Sequence, residues 1–383
     1  MYPVGPALQR YDWGTPTDLP DLLGFDQDGG PFAEAWWGAH PGGPAVADTA
    51  DGPRPLDEVI ARDPAAALGA RVLATHGDRL PYLLKVLAIG GPLSIQVHPS
   101  LEVAREGFAR EERAGIPRNA PERIYRDGNH KPEMIVALTP MVILSGFRPV
   151  PEVREDLAAI GGPVADRLIA LCRDDSDGLA GYLRGVMTDK EAPGLVSDLA
   201  FAGAHRGAGP NLAAAARAAS RFHGDPGALV ALAMNLVSLE PGEACFTPDG
   251  VVHSYQSGVG IEIMANSDNV IRAGLTPKHV DVEALLEVSR TTPSEPERPR
   301  ASREGPAAVY APPAQEFSLA IVEKGGAAFD SGPRMVVCLD GEVTARTSAE
   351  SREIGRGAAV FVPDADGPLS VESRGRTAVA FVP

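Results

Sequence analysis

Apolar and polar positions change period several times along the chain, and each change marks an element. Residues 82–89 are almost wholly apolar, interrupted only by Lys85, which predicts a strand buried on both faces. After the Gly90-Gly91-Pro92 turn, residues 93–98 alternate. That pattern predicts a second strand with Gln96 and His98 on one face and Ile95 and Val97 on the other. Residues 57–68 predict a short helix, residues 101–113 a charged one, and residues 133–138 a return to strand. Between about 150 and 235 the texture shifts to Ala, Leu and Arg, with apolar residues at helical spacing over 153–171 and 179–187. Strand character resumes at Leu236, and a helix over 281–288 closes that part. Residues 291–306, rich in Pro, Glu, Ser and Arg, predict an exposed connection. Beyond Phe317, alternating segments at 335–339, 342–346, 358–362 and 377–382 lie between Gly/Pro turns and predict a small barrel or jelly roll.

An internal similarity organises these elements. Gly242, five residues, then Pro248-Asp249-Gly250 precede His253, and Gly357, five residues, then Pro363-Asp364 repeat the arrangement with no His after it. The pattern resembles the second sequence motif of cupin jelly rolls. The expected fold is therefore mainly β, with cupin-like jelly-roll β-barrel units and an α-helical insertion. Residues 1–150 and 236–290 would make the metal-bearing unit, 151–235 the insertion, and 291–383 a linker and a C-terminal unit without metal ligands.

Composition narrows the function classes. Hydrophobic residues make up 44% and charged residues 22% of 383, the profile of a soluble globular chain. No apolar run approaches the ~18 to 20 residues of a membrane span, and the first residues lack the apolar core of a signal peptide. Cys172, Cys245 and Cys338 are odd in number and far apart, so they read as small buried apolar residues rather than disulfides or thiolate ligands. A cytoplasmic protein is expected, and a monomer. Net charge is −16, from 35 Lys plus Arg against 51 Asp plus Glu, which disfavours nucleic acid and anionic lipid as partners. An anionic substrate would need cations gathered locally.

Four segments could carry chemistry. Gln96 and His98 share a strand face, Glu133 opens a strand after Asn129-His130-Lys131-Pro132, and His253 follows the Asp249-Gly250 turn. A polar strand face alone would simply meet solvent. Two imidazole nitrogens, a carboxylate oxygen and an amide oxygen, however, form a mixed N/O set suited to Zn²⁺ with an open position. Residues 260–279 place Arg272 and Lys278 among loop-forming residues, an arrangement suited to an anion or sugar clamp.

Here the chain resembles the type I mannose-6-phosphate isomerases over nearly its full length. The resemblance is carried by Tyr11-Asp12-Trp13-Gly14, Ala35-Trp36-Trp37-Gly38, Gln96-Val97-His98-Pro99, the run from Tyr125 through Arg126-Asp127-Gly128-Asn129-His130-Lys131-Pro132-Glu133 to Met134, and residues 262–278. Val97 and Ser100 depart from the expected flanks of the first ligand pair without touching the ligand set. The resemblance implies one zinc per chain on Gln96, His98, Glu133 and His253, with Arg272 as the catalytic arginine. Lys85, Lys131, Ser94 and Lys278 would hold the substrate. It also implies interconversion of mannose 6-phosphate and fructose 6-phosphate, linking glycolysis to mannose and GDP-mannose metabolism.

Such an isomerisation moves a proton between C2 and C1 through an enediol-like intermediate, and charge develops on the sugar oxygens as it does so. A Lewis acid and a cation can stabilise that charge, and a further group must carry the proton. Glu262, Asp268, His130 and Lys131 are all candidates. A cupin oxygenase, another sugar-phosphate isomerase or epimerase, and a nonenzymatic sugar-phosphate sensor are the alternatives. The oxygenase has no need of the segment from Arg272 to Lys278, and the sensor has no need of all four ligands with Arg272.

Overall fold

The computed structural model describes residues 1–383 and is mainly β, with two large antiparallel sheets and a block of helices. Tyr82–Ile89 forms where the apolar run predicts it. It is a central strand, buried along its length and paired with Glu34–Gly38 on one edge and with His253–Ala265 on the other. Period 2 divides its residues. Tyr82, Leu84, Val86 and Ala88 enter a core shared with the second sheet, whereas Leu83, Lys85 and Leu87 face a cleft. The neighbouring His253–Ala265 divides alike: Val259, Ile261 and Ile263 enter the core, Glu262 and Met264 the cleft. One face of this sheet is thus given to stability and the other to a site.

Local signals set several boundaries as expected. Helix Leu101–Arg113 starts where the Ser100 hydroxyl accepts from the Val103 amide, and helix Val282–Val288 where Asp281 accepts from that of Ala284. Six helices lie between Val150 and Leu232. The helix expected over 153–171 is two, Val150–Ile160 and Pro163–Leu171, because Gly161 and Gly162 turn to φ 75° and 93° between them. The helix expected over 57–68 is likewise split, since Asp63 caps a new one that opens on Pro64.

The strand expected over 93–98 shrinks to Gln96–Val97. Its flanks pair irregularly instead, the Leu93 amide donating to Tyr255 O and the Ile95 amide to Gly274 O, so the chain bridges two neighbours rather than lying along one. Ile95 and Val97 nevertheless enter the apolar core beneath the helices, on the face opposite Gln96 and His98.

In the second sheet two strands are long, not short. Ser318–Phe329 pairs along Leu369–Phe381, where Ser370, Glu372 and Arg374 alternate outward from buried Leu369, Val371 and Ser373. The connection expected over 291–306 carries a strand of its own, Ser302–Glu304. This sheet also draws in the N-terminus: Tyr2–Gly5 sits between Ala359–Val362 and Val46–Thr49. The expected division gave those N-terminal residues to the metal-bearing unit. Their alternation is too short to show which sheet they join, and the pairing is decided by the shared core. Tyr82 ties the sheets together, its hydroxyl donating to the carbonyls of Pro333 and Ala380 at 3.2 Å each. All three cysteines are free and buried, and no helix is long and apolar enough to cross a membrane.

Candidate metal centre and substrate cleft

His98, Glu133 and His253 come from three separate segments, yet their ligand atoms all lie within 4.8 Å of one another. Strand pairing brings them together, for His253 is in register with Gln96 and Met264 with Glu133. Each imidazole is oriented from behind. His98 Nδ1 donates to the Asn269 carbonyl at 2.7 Å and His253 Nδ1 to that of Val251 at 3.0 Å, which turns both Nε2 atoms inward. His253 Nε2 is 2.8 Å from Glu133 Oε1. His98 Nε2 lies 3.4 Å from Glu133 Oε2 without hydrogen-bond geometry, so this buried nitrogen has no partner. An orphaned buried acceptor is costly, and a cation on these donors would satisfy it.

Protonation states agree with that role. Burial, reinforced by Lys131, holds His98 down to about 4, so it is neutral and able to ligate. Burial would raise Glu133, but Lys131, His253 and His98 outweigh it and keep the carboxylate ionised. Gln96, in register with His253, donates from Nε2 to Ser94 Oγ at 3.1 Å, and its amide oxygen has no protein partner. The donor set is oxygen and nitrogen without thiolate, a composition that suits a catalytic zinc site.

The centre opens into a cleft of about 530 Å³. Lys85, Ser94, Gln96, Lys131, Glu133, His253, Arg272 and Lys278 all line it, so the expected site residues converge. They differ in their partners. Lys85 Nζ is 2.9 Å from Glu262 and 3.8 Å from Glu34, and Lys131 Nζ is 3.4 Å from Glu133. Burial would lower Lys85, but Glu262 and Glu34 raise it, so it stays charged. Arg272 and Lys278, in contrast, have no carboxylate. Burial and Arg126 lower Arg272; burial, Arg272 and Arg126 lower Lys278. Three mutually repelling cations in an acidic chain make a ready anion site. The loop that carries Arg272 and Lys278 holds strain as well, with buried Leu275 at φ 53°.

Several participants were not foreseen. Tyr255 donates to Glu262 Oε1 at 2.9 Å and lies 3.4 Å from Glu133, so it links the metal centre to the Lys85–Glu262 pair. Its place two residues beyond His253 on one strand was the available signal. Glu34 and Trp36 are a second such pair, with Lys85 Nζ 5.0 Å from the Trp36 ring.

Among the four candidates for proton transfer, Glu262, Asp268 and Lys131 line the cleft. His130 does not. It bridges Asp249 at 3.1 Å and Glu316 at 2.8 Å. Burial lowers it, but these two carboxylates raise it to about 9. With an ordinary value of 6.5 in the unfolded chain, this bridge stabilises the fold fully below pH 6.5 and loses that contribution as pH rises through 9. Burial would raise Glu316, but His130 holds it below its ordinary value, so at the acid end the bridge fails when Glu316 takes up a proton. His130→Gln is expected to cost on the order of 2 kcal/mol at pH 6 and much less at pH 10. Denaturant unfolding of both proteins at the two pH values checks this, and an equal loss at both would refute it.

Fold and site together define a mainly-β protein with a metal-type donor centre in a cleft that also holds unpaired cations. Residues 1–150 match the family model for the phosphomannose isomerase type I catalytic domain. The chain is 33% identical over 385 residues to mannose-6-phosphate isomerase of Escherichia coli K12, covering 98% of each, and 33% identical over 405 residues to that of Homo sapiens, covering 94% and 93%. It superposes on a mutant of phosphomannose isomerase from Salmonella typhimurium with TM-score 0.91 at 30% identity, and on a zinc-bound mannose 6-phosphate isomerase with TM-score 0.89 at 29%; each covers 100% of this chain and 99% of the other. The chain belongs to the mannose-6-phosphate isomerase family.

Proposed function

We propose that the chain is a zinc-dependent aldose–ketose isomerase, interconverting D-mannose 6-phosphate and D-fructose 6-phosphate through an enediol-like intermediate. The observation that carries this reading is the unpartnered Nε2 of His98, beside Glu133 and His253 at the floor of a cleft with unpaired cations. Zinc, held by Gln96 Oε1, His98, Glu133 and His253, supplies Lewis-acid polarisation of the sugar oxygens. The remaining work falls to side chains. Arg272 stabilises the charge that develops as the proton leaves carbon. Ser94 and Lys278 take the phosphate, while Lys85 and Lys131 hold sugar oxygens nearer the metal centre. Glu262, aimed by Lys85 and Tyr255, carries the proton between C2 and C1.

The C-terminal unit, without a histidine beyond His279, is read as a cupin-like barrel that binds no metal. Three free buried cysteines suit a reducing, cytoplasmic setting. We place the chain there as a monomer, at the step joining glycolysis to mannose and GDP-mannose metabolism.

The test is an isomerase assay of zinc-loaded protein with each sugar phosphate. Interconversion is expected. Glu262→Gln should lower kcat by roughly 10²- to 10⁴-fold with zinc content unchanged. A zinc-loaded chain inert toward both substrates would overturn the activity. A Glu262→Gln variant near wild type would move the proton carrier elsewhere.

A further inference from the structure

We propose that Arg221, contributed by the helical insertion, binds the phosphate end of the substrate and so sets the preference for phosphorylated over free sugars. This rests on the isomerase reading above and extends its site to a residue outside the β unit. Arg221 ends the helix Pro210–Arg221, and together with Phe222 it lines the cleft that holds the metal donors. It forms no hydrogen bond or ion pair in a chain of net charge −16; its nearest aromatic, Phe222, is 6.0 Å from the guanidinium carbon. A basic residue in a helix's last turn favours the macrodipole, which explains an arginine at this position. It does not explain a guanidinium lying against a turn of another unit.

That turn is Gly90-Gly91-Pro92, which leads to Ser94 and Gln96. A Cβ on Gly91 would stand 2.9 Å from the Arg221 guanidinium carbon, so the missing side chain is what seats the charge there. The insertion is also fastened to the cationic loop. Asp225 accepts from the Thr276 amide at 3.0 Å and from that of Gly227 at 2.8 Å. Gly227 and Gly274 pack backbone to backbone, and a Cβ on Gly274 would come within 2.4 Å of the Gly227 Cα. Arg221 is four residues from Asp225, and Arg272 and Lys278 lie in the loop that Asp225 grips. The exposed Arg221 side chain therefore springs from backbone held in fixed relation to the loop of Arg272 and Lys278, so the three can close on one dianionic group.

The experiment compares zinc-loaded wild type with Arg221→Ala, Arg221→Lys and Gly91→Ala. Two measurements are made: steady-state kinetics with mannose 6-phosphate, and calorimetric titration with inorganic phosphate. Arg221→Ala should raise KM about tenfold and weaken inorganic phosphate in parallel, as loss of one charge-assisted contact does. Its kcat should stay within about twofold and its zinc content unchanged. Arg221→Lys should recover part of the loss. Gly91→Ala, which displaces the flexible tip without removing the charge, should shift KM and phosphate affinity the same way. Unchanged KM and phosphate affinity in Arg221→Ala would overturn the proposal, as would a joint fall of kcat and zinc content. Calorimetry separates the two readings. A chain that binds phosphate through Arg221 yet isomerises neither sugar would defeat the activity and leave this inference standing.

Discussion

His98→Ala is expected to lose zinc and activity together, with zinc affinity falling at least about 100-fold. That floor follows because loss of a residue that merely orients a ligand already costs roughly 10- to 100-fold, and His98 is itself a donor in the proposed centre. The metal-free wild type carries a buried Nε2 with no partner, and the alanine variant carries a void in its place. The two proteins should therefore differ little in the absence of metal. Once zinc is added, only the wild type should gain stability. A ligand at 100 times its dissociation constant contributes about 2.7 kcal/mol, visible as a rise in Tm. Metal content of the purified proteins and their thermal unfolding with and without chelator are the measurements. A His98→Ala protein that retains wild-type zinc would remove His98 from the ligand set.

The sequence offered that donor set as candidates, and only the family resemblance joined them, because spacing cannot show that separate segments meet. Gln96 and His98 share a face two residues apart, and their partners begin strands, at Glu133 and at His253, so period-2 geometry constrains where each side chain points. The same rule would have found Tyr255. What the sequence could not show depends on distant segments meeting. The Asn269 carbonyl behind His98 is a backbone atom with no compositional signal. Arg221 reaches the cleft only because the insertion is pinned through Asp225 and Gly227. His130 stands in the motif that carries Glu133, and nothing local reveals that it pairs with Glu316 outside the cleft lining. In the fold, Tyr82–Ile89 was legible because its run is apolar on both faces save for Lys85. Tyr2–Gly5 was not, because its sheet is chosen by residues more than 350 positions away.

Arg272→Ala is the variant that separates catalysis from binding. Arg272 is in register with Gln96 across a short strand pair, so its position is tied to the metal centre, yet it offers no ligand atom. If it acts on charge that develops only in the transition state, kcat should fall roughly 10²- to 10³-fold while KM changes little. Zinc content should be normal. Arg272→Lys should restore part of the rate, since an ammonium keeps the charge but lacks the planar fork that serves two oxygens at once. Stability supplies an independent readout. Arg272 sits partly buried, unpaired and repelled by Arg126, and Lys278 feels the same field. Removing its charge relieves that repulsion, so Arg272→Ala should unfold at the same temperature as wild type or slightly above it, a residue kept at the expense of the fold. A rise in KM with kcat near wild type would make Arg272 a phosphate anchor instead. A variant that loses zinc or melts several degrees lower would make it a support for the metal centre, and the charge-stabilising role would be wrong.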